Sequence, residues 1–119
     1  MPKRIMIVDD SDHLRWILKL TLQYKDYAVL EAENGQIALQ LAAAEPCDLI
    51  LCDIEMPVMN GLEFLRRYRT ELGATTPVVM LTAEGGELTS KALAAGATAI
   101  IHKPFEPIAL MNELEKYMV

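Results

Sequence analysis

The sequence predicts an α/β protein built on a doubly wound parallel sheet of five strands. Three observations carry this. Five short apolar runs are each followed by a helical pattern, and no block consists of strands alone or helices alone. The runs are apolar at successive positions, as in strands buried on both faces, and right-handed crossovers place helices on both sides.

The elements follow in order. Ile5-Met6-Ile7-Val8 is the first strand, after which Leu14, Ile17, Leu18, Thr21 and Leu22 recur at helical spacing. Tyr27 to Ala32 is the second strand, and Ile37, Ala38, Leu41 and the alanines beyond make the second helix. Leu49-Ile50-Leu51-Cys52 is the third strand, followed by a loop and a helix carrying Leu62, Leu65 and Leu72. Pro77 introduces the fourth strand, Val78 to Leu81. An alanine-rich helix from Ser90 to Ala95 stops at Gly96, whose missing Cβ suits a left-handed cap. Ala99-Ile100-Ile101 is the last strand, leading to a helix from about Glu106 to Tyr117.

The 119 residues are 52% hydrophobic and 24% charged, with a net charge of -6. This length makes one domain, 1–119, with enough apolar surface to offset its ordering entropy, so disorder is excluded. No apolar stretch approaches the roughly 20 residues of a membrane span. Met1-Pro2-Lys3-Arg4 runs directly into the first strand, with no secretory leader expected. An acidic chain lacks the basic face that direct nucleic-acid binding needs. Cys47 and Cys52, at odd separation, are expected on opposite faces as free thiols, which points to a reducing cytoplasm.

In open α/β sheets, ligands bind beyond the carboxyl ends of the strands. Asp9-Asp10 follows the first strand, Asp53 the third, Thr82 the fourth and Lys103-Pro104 the fifth. The second strand ends in Glu31-Ala32-Glu33 and offers nothing obvious to this group. Two carboxylates about 5 Å apart repel by on the order of 3 kcal/mol at an effective dielectric of about 20. A hard divalent cation relieves that repulsion, and Mg²⁺ suits few carboxylates with several retained waters. Carboxylates at Mg²⁺ beside a lysine and a hydroxyl form a phosphoryl-transfer constellation. In it Asp53 can act as the nucleophile, with Lys103 to neutralise developing charge and Thr82 to donate a hydrogen bond. Replacing Asp53 by Asn should then stabilise the metal-free protein by about 1–3 kcal/mol.

These residues belong to a recognisable series: Ile7-Val8-Asp9-Asp10, Asp53 to Gly61, Leu81-Thr82-Ala83, Ala95-Gly96-Ala97 and Lys103-Pro104-Phe105. In that order and spacing the chain resembles, along essentially its whole length, the response regulator receiver domain of two-component signalling. The resemblance implies a flavodoxin-like (βα)5 sheet with strand order 2-1-3-4-5. It implies that Asp53 takes a phosphoryl group from a phosphohistidine on a sensor histidine kinase or a histidine phosphotransfer protein. Mg²⁺, with Mn²⁺ as a substitute, would be held by Asp10, Asp53 and the Glu55 backbone carbonyl, with Asp9 helping directly or through water. Thr82 and Lys103 would contact the phosphoryl group, and the Lys103-Pro104 bond would be cis. Such a module switches a downstream output domain or protein, assists only its own phosphorylation and dephosphorylation, and can act as a homodimer.

One position departs from the family pattern. Relatives carry an aromatic residue three before the lysine, whose rotation couples to the threonine; here it is Ile100. The Thr82–Ile100 pair therefore lacks the usual switch, which shifts weight to the loop Glu84-Gly85-Gly86, where two glycines allow movement. Glu55 and Glu84, two residues after Asp53 and Thr82, occupy positions that tune phosphate lifetime in relatives.

Trp16 points away from the sheet with Leu20 beside it, and with His13 it makes a candidate face for the phosphodonor or a second subunit. His102 is expected to be an ordinary strand-end residue, and neither histidine has zinc-site spacing. Met56 and Met59 should pack the loop after Asp53. Glu106, Glu113 and Glu115 should be a solvated helix face. Two enzyme or carrier readings fail on particular residues. A haloacid-dehalogenase-type phosphatase needs a further acidic pair after the lysine, where only Glu106 stands nearby. A flavin carrier needs hydroxyl- and glycine-rich donors after the first strand, where Asp9-Asp10-Ser11-Asp12 would repel phosphate. A binding-only degenerate receiver does not fit the full acidic, hydroxyl and lysine set.

Overall fold

The computed structural model describes residues 2–83 and 85–118; Glu84, which like Glu55 occupies a position that tunes phosphate lifetime in relatives, lies outside the described residues. Strands β1 (Arg4–Val8), β2 (Ala28–Ala32), β3 (Leu49–Asp53), β4 (Val78–Thr82) and β5 (Ala99–His102) form one parallel sheet in the order β2-β1-β3-β4-β5. Helices α1 (Asp12–Tyr24), α2 (Gly35–Ala44), α3 (Gly61–Thr70), α4 (Glu87–Ala94) and α5 (Pro107–Glu115) alternate with the strands.

Residue parity along each strand divides the interior into two cores. Met6, Val8, Ile50, Cys52, Val78 and Met80 pack with Ala38, Phe64, Leu65, Tyr68 and Ala92 from α2, α3 and α4. Ile5, Ile7, Leu49, Leu51, Val79 and Leu81 pack with Leu18, Leu22, Leu110, Met111 and Leu114 from α1 and α5. This explains why the three central strands read as unbroken apolar runs: their side chains meet a helix layer on either face.

Four helices begin on a side-chain cap. Ser11, Asn34, Asn60 and Glu106 each accept a hydrogen bond from a backbone N–H two or three residues on. Helix α4 differs: it starts at Glu87, a turn earlier than the alanine-rich stretch suggested, and follows Gly86 at φ 61° with no side-chain cap. The final helix is shorter than the sequence suggested, because Glu106 serves as its cap and Tyr117 lies beyond its last turn. Glu106 is therefore more than a solvated residue, and Glu113 and Glu115 pair with Lys116 at 2.9 Å and Lys25 at 3.9 Å.

At the amino ends of the strands, Arg69 joins three segments. Its guanidinium donates to the carbonyls of Gly96 (2.9 and 3.1 Å), Ala74 (3.0 Å) and Thr76 (2.7 Å). Gly96 ends the α4 region at φ 106°, and a Cβ there would lie 3.2 Å from Arg69. Both cysteines are free, but they pack against the same core rather than opposite faces. Alternation begins only at Leu49, where the strand begins, so the parity argument did not extend back to Cys47. Burial pushes the Cys47 thiol up to about 11, which leaves it unreactive near neutrality.

Candidate functional site

The register of the central strands brings the polar strand ends together. Val8 pairs with Cys52, Asp53 with Leu81, and Thr82 with His102, so the residues just beyond converge at one edge. Asp9, Asp10 and Asp53 each present a carboxylate oxygen, and these atoms lie within 4.8 Å of one another. That is the separation at which the repulsion estimated from the sequence applies. Lys103 reaches the cluster from the end of β5, its Nζ 3.3 Å from Asp53 Oδ2 and 3.8 Å from Asp9 Oδ2. The Lys103-Pro104 peptide is cis. Thr82 is fully buried at the end of β4 and engaged in the local network.

The acids differ in environment. Asp9 is 1% exposed and Asp53 6%, whereas Asp10 stands at the rim. Burial lifts the Asp53 carboxyl above the ordinary range, against the pull of Lys103 and the Glu55 amide. Burial also lifts Asp9, opposed by the Ser11 N–H that donates to its Oδ1 at 2.9 Å and reinforced by the Asp53 charge. The second Asp9 oxygen, Oδ2, is buried without a hydrogen bond, Lys103 standing beyond bonding reach. An orphaned carboxylate oxygen facing two further carboxylates is a donor set that fits a hard divalent cation.

The loop after Asp53 is closely fitted. The Gly61 N–H donates to the Ile54 carbonyl at 2.8 Å, and a Cβ on Gly61 would lie 2.2 Å from the Asp53 carbonyl oxygen. The Gly35 N–H, opening α2, donates to the Met59 carbonyl at 2.9 Å, where a Cβ would stand 2.6 Å away. Between them the Met59 N–H bonds the Pro57 carbonyl at 2.8 Å across Val58, a γ-turn with φ 71° at an exposed β-branched residue. Met56 and Met59 pack against the core beneath, as the sequence suggested.

Strand β2 does contribute. Glu31 lies 3.5 Å from Arg15 Nε and 3.3 Å from Lys19 Nζ, and Arg15 also bonds the Asp9 carbonyl and the Asp12 carboxylate. Arg15 and Glu31 were missed from sequence; the available signal was a charged residue inside the otherwise apolar run Ala28-Val29-Leu30-Glu31-Ala32. Trp16 and Leu20 are 58% and 47% exposed on α1, His13 is exposed at its first turn, and Tyr24 extends the stripe. Ile100 packs beside the core under α4, and His102 is exposed at its strand end next to Gly85.

A doubly wound sheet with a carboxylate trio, a hydroxyl and a lysine at its carboxyl edge defines a phosphoacceptor class of signalling domain. The response regulator receiver domain family matches residues 5–115, and the chain belongs to it. As a receiver domain it is a phosphoacceptor module of two-component signalling. It is 39% identical over 105 residues to the transcriptional regulatory protein ResD of Bacillus subtilis, covering 87% of this chain and 43% of ResD. To the transcriptional regulatory protein SrrA of Staphylococcus aureus it is 38% identical over 108 residues, 90% of this chain and 44% of SrrA. The chain thus spans less than half the length of these two curated relatives. The chemotaxis protein CheY4 of Vibrio cholerae superposes with a TM-score of 0.92 at 36% identity, covering 98% of this chain and 99% of CheY4. No helix among the described residues is long and apolar enough to cross a membrane.

Proposed function

We propose that residues 1–119 act as one receiver unit in which Asp53 is the phosphoacceptor. The observation that carries this is the convergence of Asp9, Asp10 and Asp53 within 4.8 Å, with the Lys103 ammonium 3.3 Å from Asp53. Asp10, Asp53 and the Glu55 backbone carbonyl, with Asp9 directly or through water, would hold Mg²⁺ or Mn²⁺. When bound, the cation would supply positive charge that offsets the repulsion between the acidic cluster and an incoming phosphoryl group. In the transfer, an Asp53 carboxylate oxygen bonds to phosphorus as the P–N bond to the donor imidazole breaks. The imidazole leaves with the electron pair and takes up a proton. Lys103 offsets charge on the phosphoryl oxygens, and the Thr82 hydroxyl hydrogen-bonds one of them.

The donor is a sensor histidine kinase or a histidine phosphotransfer protein, and the recipient a downstream output domain, a partner protein or a second copy. His13, Trp16 and Leu20 form the face for the phosphodonor or a second copy. The chain assists only its own phosphorylation and dephosphorylation, in the cytoplasm, with no direct nucleic-acid contact. Ile100 in place of an aromatic leaves the Gly85-Gly86 segment as the element that moves with Thr82. Incubation with acetyl phosphate and Mg²⁺, read by intact mass, tests the reading. The protein should gain one phosphoryl group and Asp53→Asn none; a gain that survives in Asp53→Asn would overturn the assignment.

A further inference from the structure

We propose that Arg15 is a positioning residue for the Asp9-Asp10 cation site, an inference that rests on reading the acidic cluster as a Mg²⁺ site. Its side chain is only 12% exposed and gathers acceptors from three elements. One is the Asp9 carbonyl at the end of β1, one the Asp12 carboxylate opening α1, and one the Glu31 carboxylate on β2. A planar guanidinium can serve three directions at once; an ammonium is a point charge and cannot hold the same fork.

The Asp9 carbonyl belongs to the peptide unit whose N–H is that of Asp10. Fixing that oxygen fixes the plane from which the Asp10 side chain departs. Asp10 stands at the solvent rim, and the orientation of its backbone sets which positions its carboxylate can reach. Glu31, shared with Lys19 at 3.3 Å, holds the guanidinium from the far side. The arrangement is a brace running from the second strand, through Arg15, to the acidic loop.

Charge and positioning make opposite demands here, which gives the inference a decisive sign. As a cation near an acidic site, Arg15 repels Mg²⁺, so on charge alone its loss would tighten binding. As a brace, its loss weakens binding, and residues that orient metal ligands typically change affinity by about 10–100-fold.

Mg²⁺ titration of the metal-free full chain by calorimetry, alongside thermal melts in chelator, separates these outcomes. Arg15→Ala and Arg15→Lys should both weaken Mg²⁺ binding by about 10-fold or more, and Glu31→Gln by less. The Lys variant keeps the charge, so its failure to rescue isolates the fork geometry. Should Arg15→Ala not fold, Arg15→Lys and Glu31→Gln carry the comparison. Unchanged or tighter binding in folded Arg15 variants overturns the inference. Absence of Mg²⁺ binding by the unsubstituted protein instead overturns the metal-site reading, and the brace falls with it.

Discussion

The loops after β1 and β3 and the loop after β4 leave the same edge of the sheet, yet they are held very differently. Around the acids, Ser11 and Asn60 cap their helices, Arg15 braces the Asp9 carbonyl, and Gly35 and Gly61 sit where no side chain fits. At the start of α4 there is no side-chain cap, Gly86 faces open space, and Thr89 Oγ1 is buried without a hydrogen bond. The difference follows from charge. Mutually repelling carboxylates keep a fixed geometry only where the backbone beneath them is pinned. A strand end that carries a hydroxyl has no such requirement, and Gly86 beyond it is correspondingly less closely fitted.

The sharpest way to break this contrast is a matched pair of alanine substitutions. Gly61→Ala should cost about 3 kcal/mol or more in denaturant unfolding, because its Cβ would meet backbone atoms 2.2 Å and 2.9 Å away. Gly86→Ala, with nothing within 4 Å and only its backbone angles (φ 61°, ψ -115°) to oppose it, should cost less, about 1–2 kcal/mol. Equal losses would mean the two loops are not differently held.

Next in size is the charge effect. In chelator, Asp53→Asn should be more stable than the unsubstituted protein near neutral pH by about 1–3 kcal/mol. The pH dependence has a definite sign. Below 3.8 the carboxyl is protonated in both folded and unfolded chains, so the two proteins differ little. As pH rises from 3.8 through the raised folded value, the native state resists ionisation and the unsubstituted protein loses stability relative to the variant. Melting temperatures that converge as pH rises would contradict the buried, like-charged geometry.

The smallest effect concerns Val58, whose side chain is 76% exposed and whose φ of 71° disfavours a β-branched residue. Val58→Gly should raise stability by about 0.5–1 kcal/mol, measured as a higher denaturant midpoint. A lower midpoint would show that the γ-turn is held without strain.

Much of this arrangement was legible from residue order. Apolar runs marked all five strands, and the acids, Thr82 and Lys103 were conspicuous because they end those runs. What escaped was what depends on contacts distant in sequence. Arg15 and Lys19, four apart on α1, carry no sequence signal of their own; it is β2 that brings Glu31 against them. The start of α4 was hidden because a glycine pair and Thr89 weaken the helical pattern there. Glu106 looked like a surface acid because capping depends on where the backbone enters the helix, which charge alone does not reveal.

Arg69 gives the opposite pole of the sheet a different character. Its guanidinium spends its hydrogen bonds on the carbonyls of Gly96, Ala74 and Thr76, groups that do not titrate. Adding or removing charge at the carboxyl edge therefore leaves this lower rim without a chemical reason to rearrange. A change of charge at the acidic cluster breaks none of these bonds, so this rim is tied together independently of the chemistry at the opposite edge.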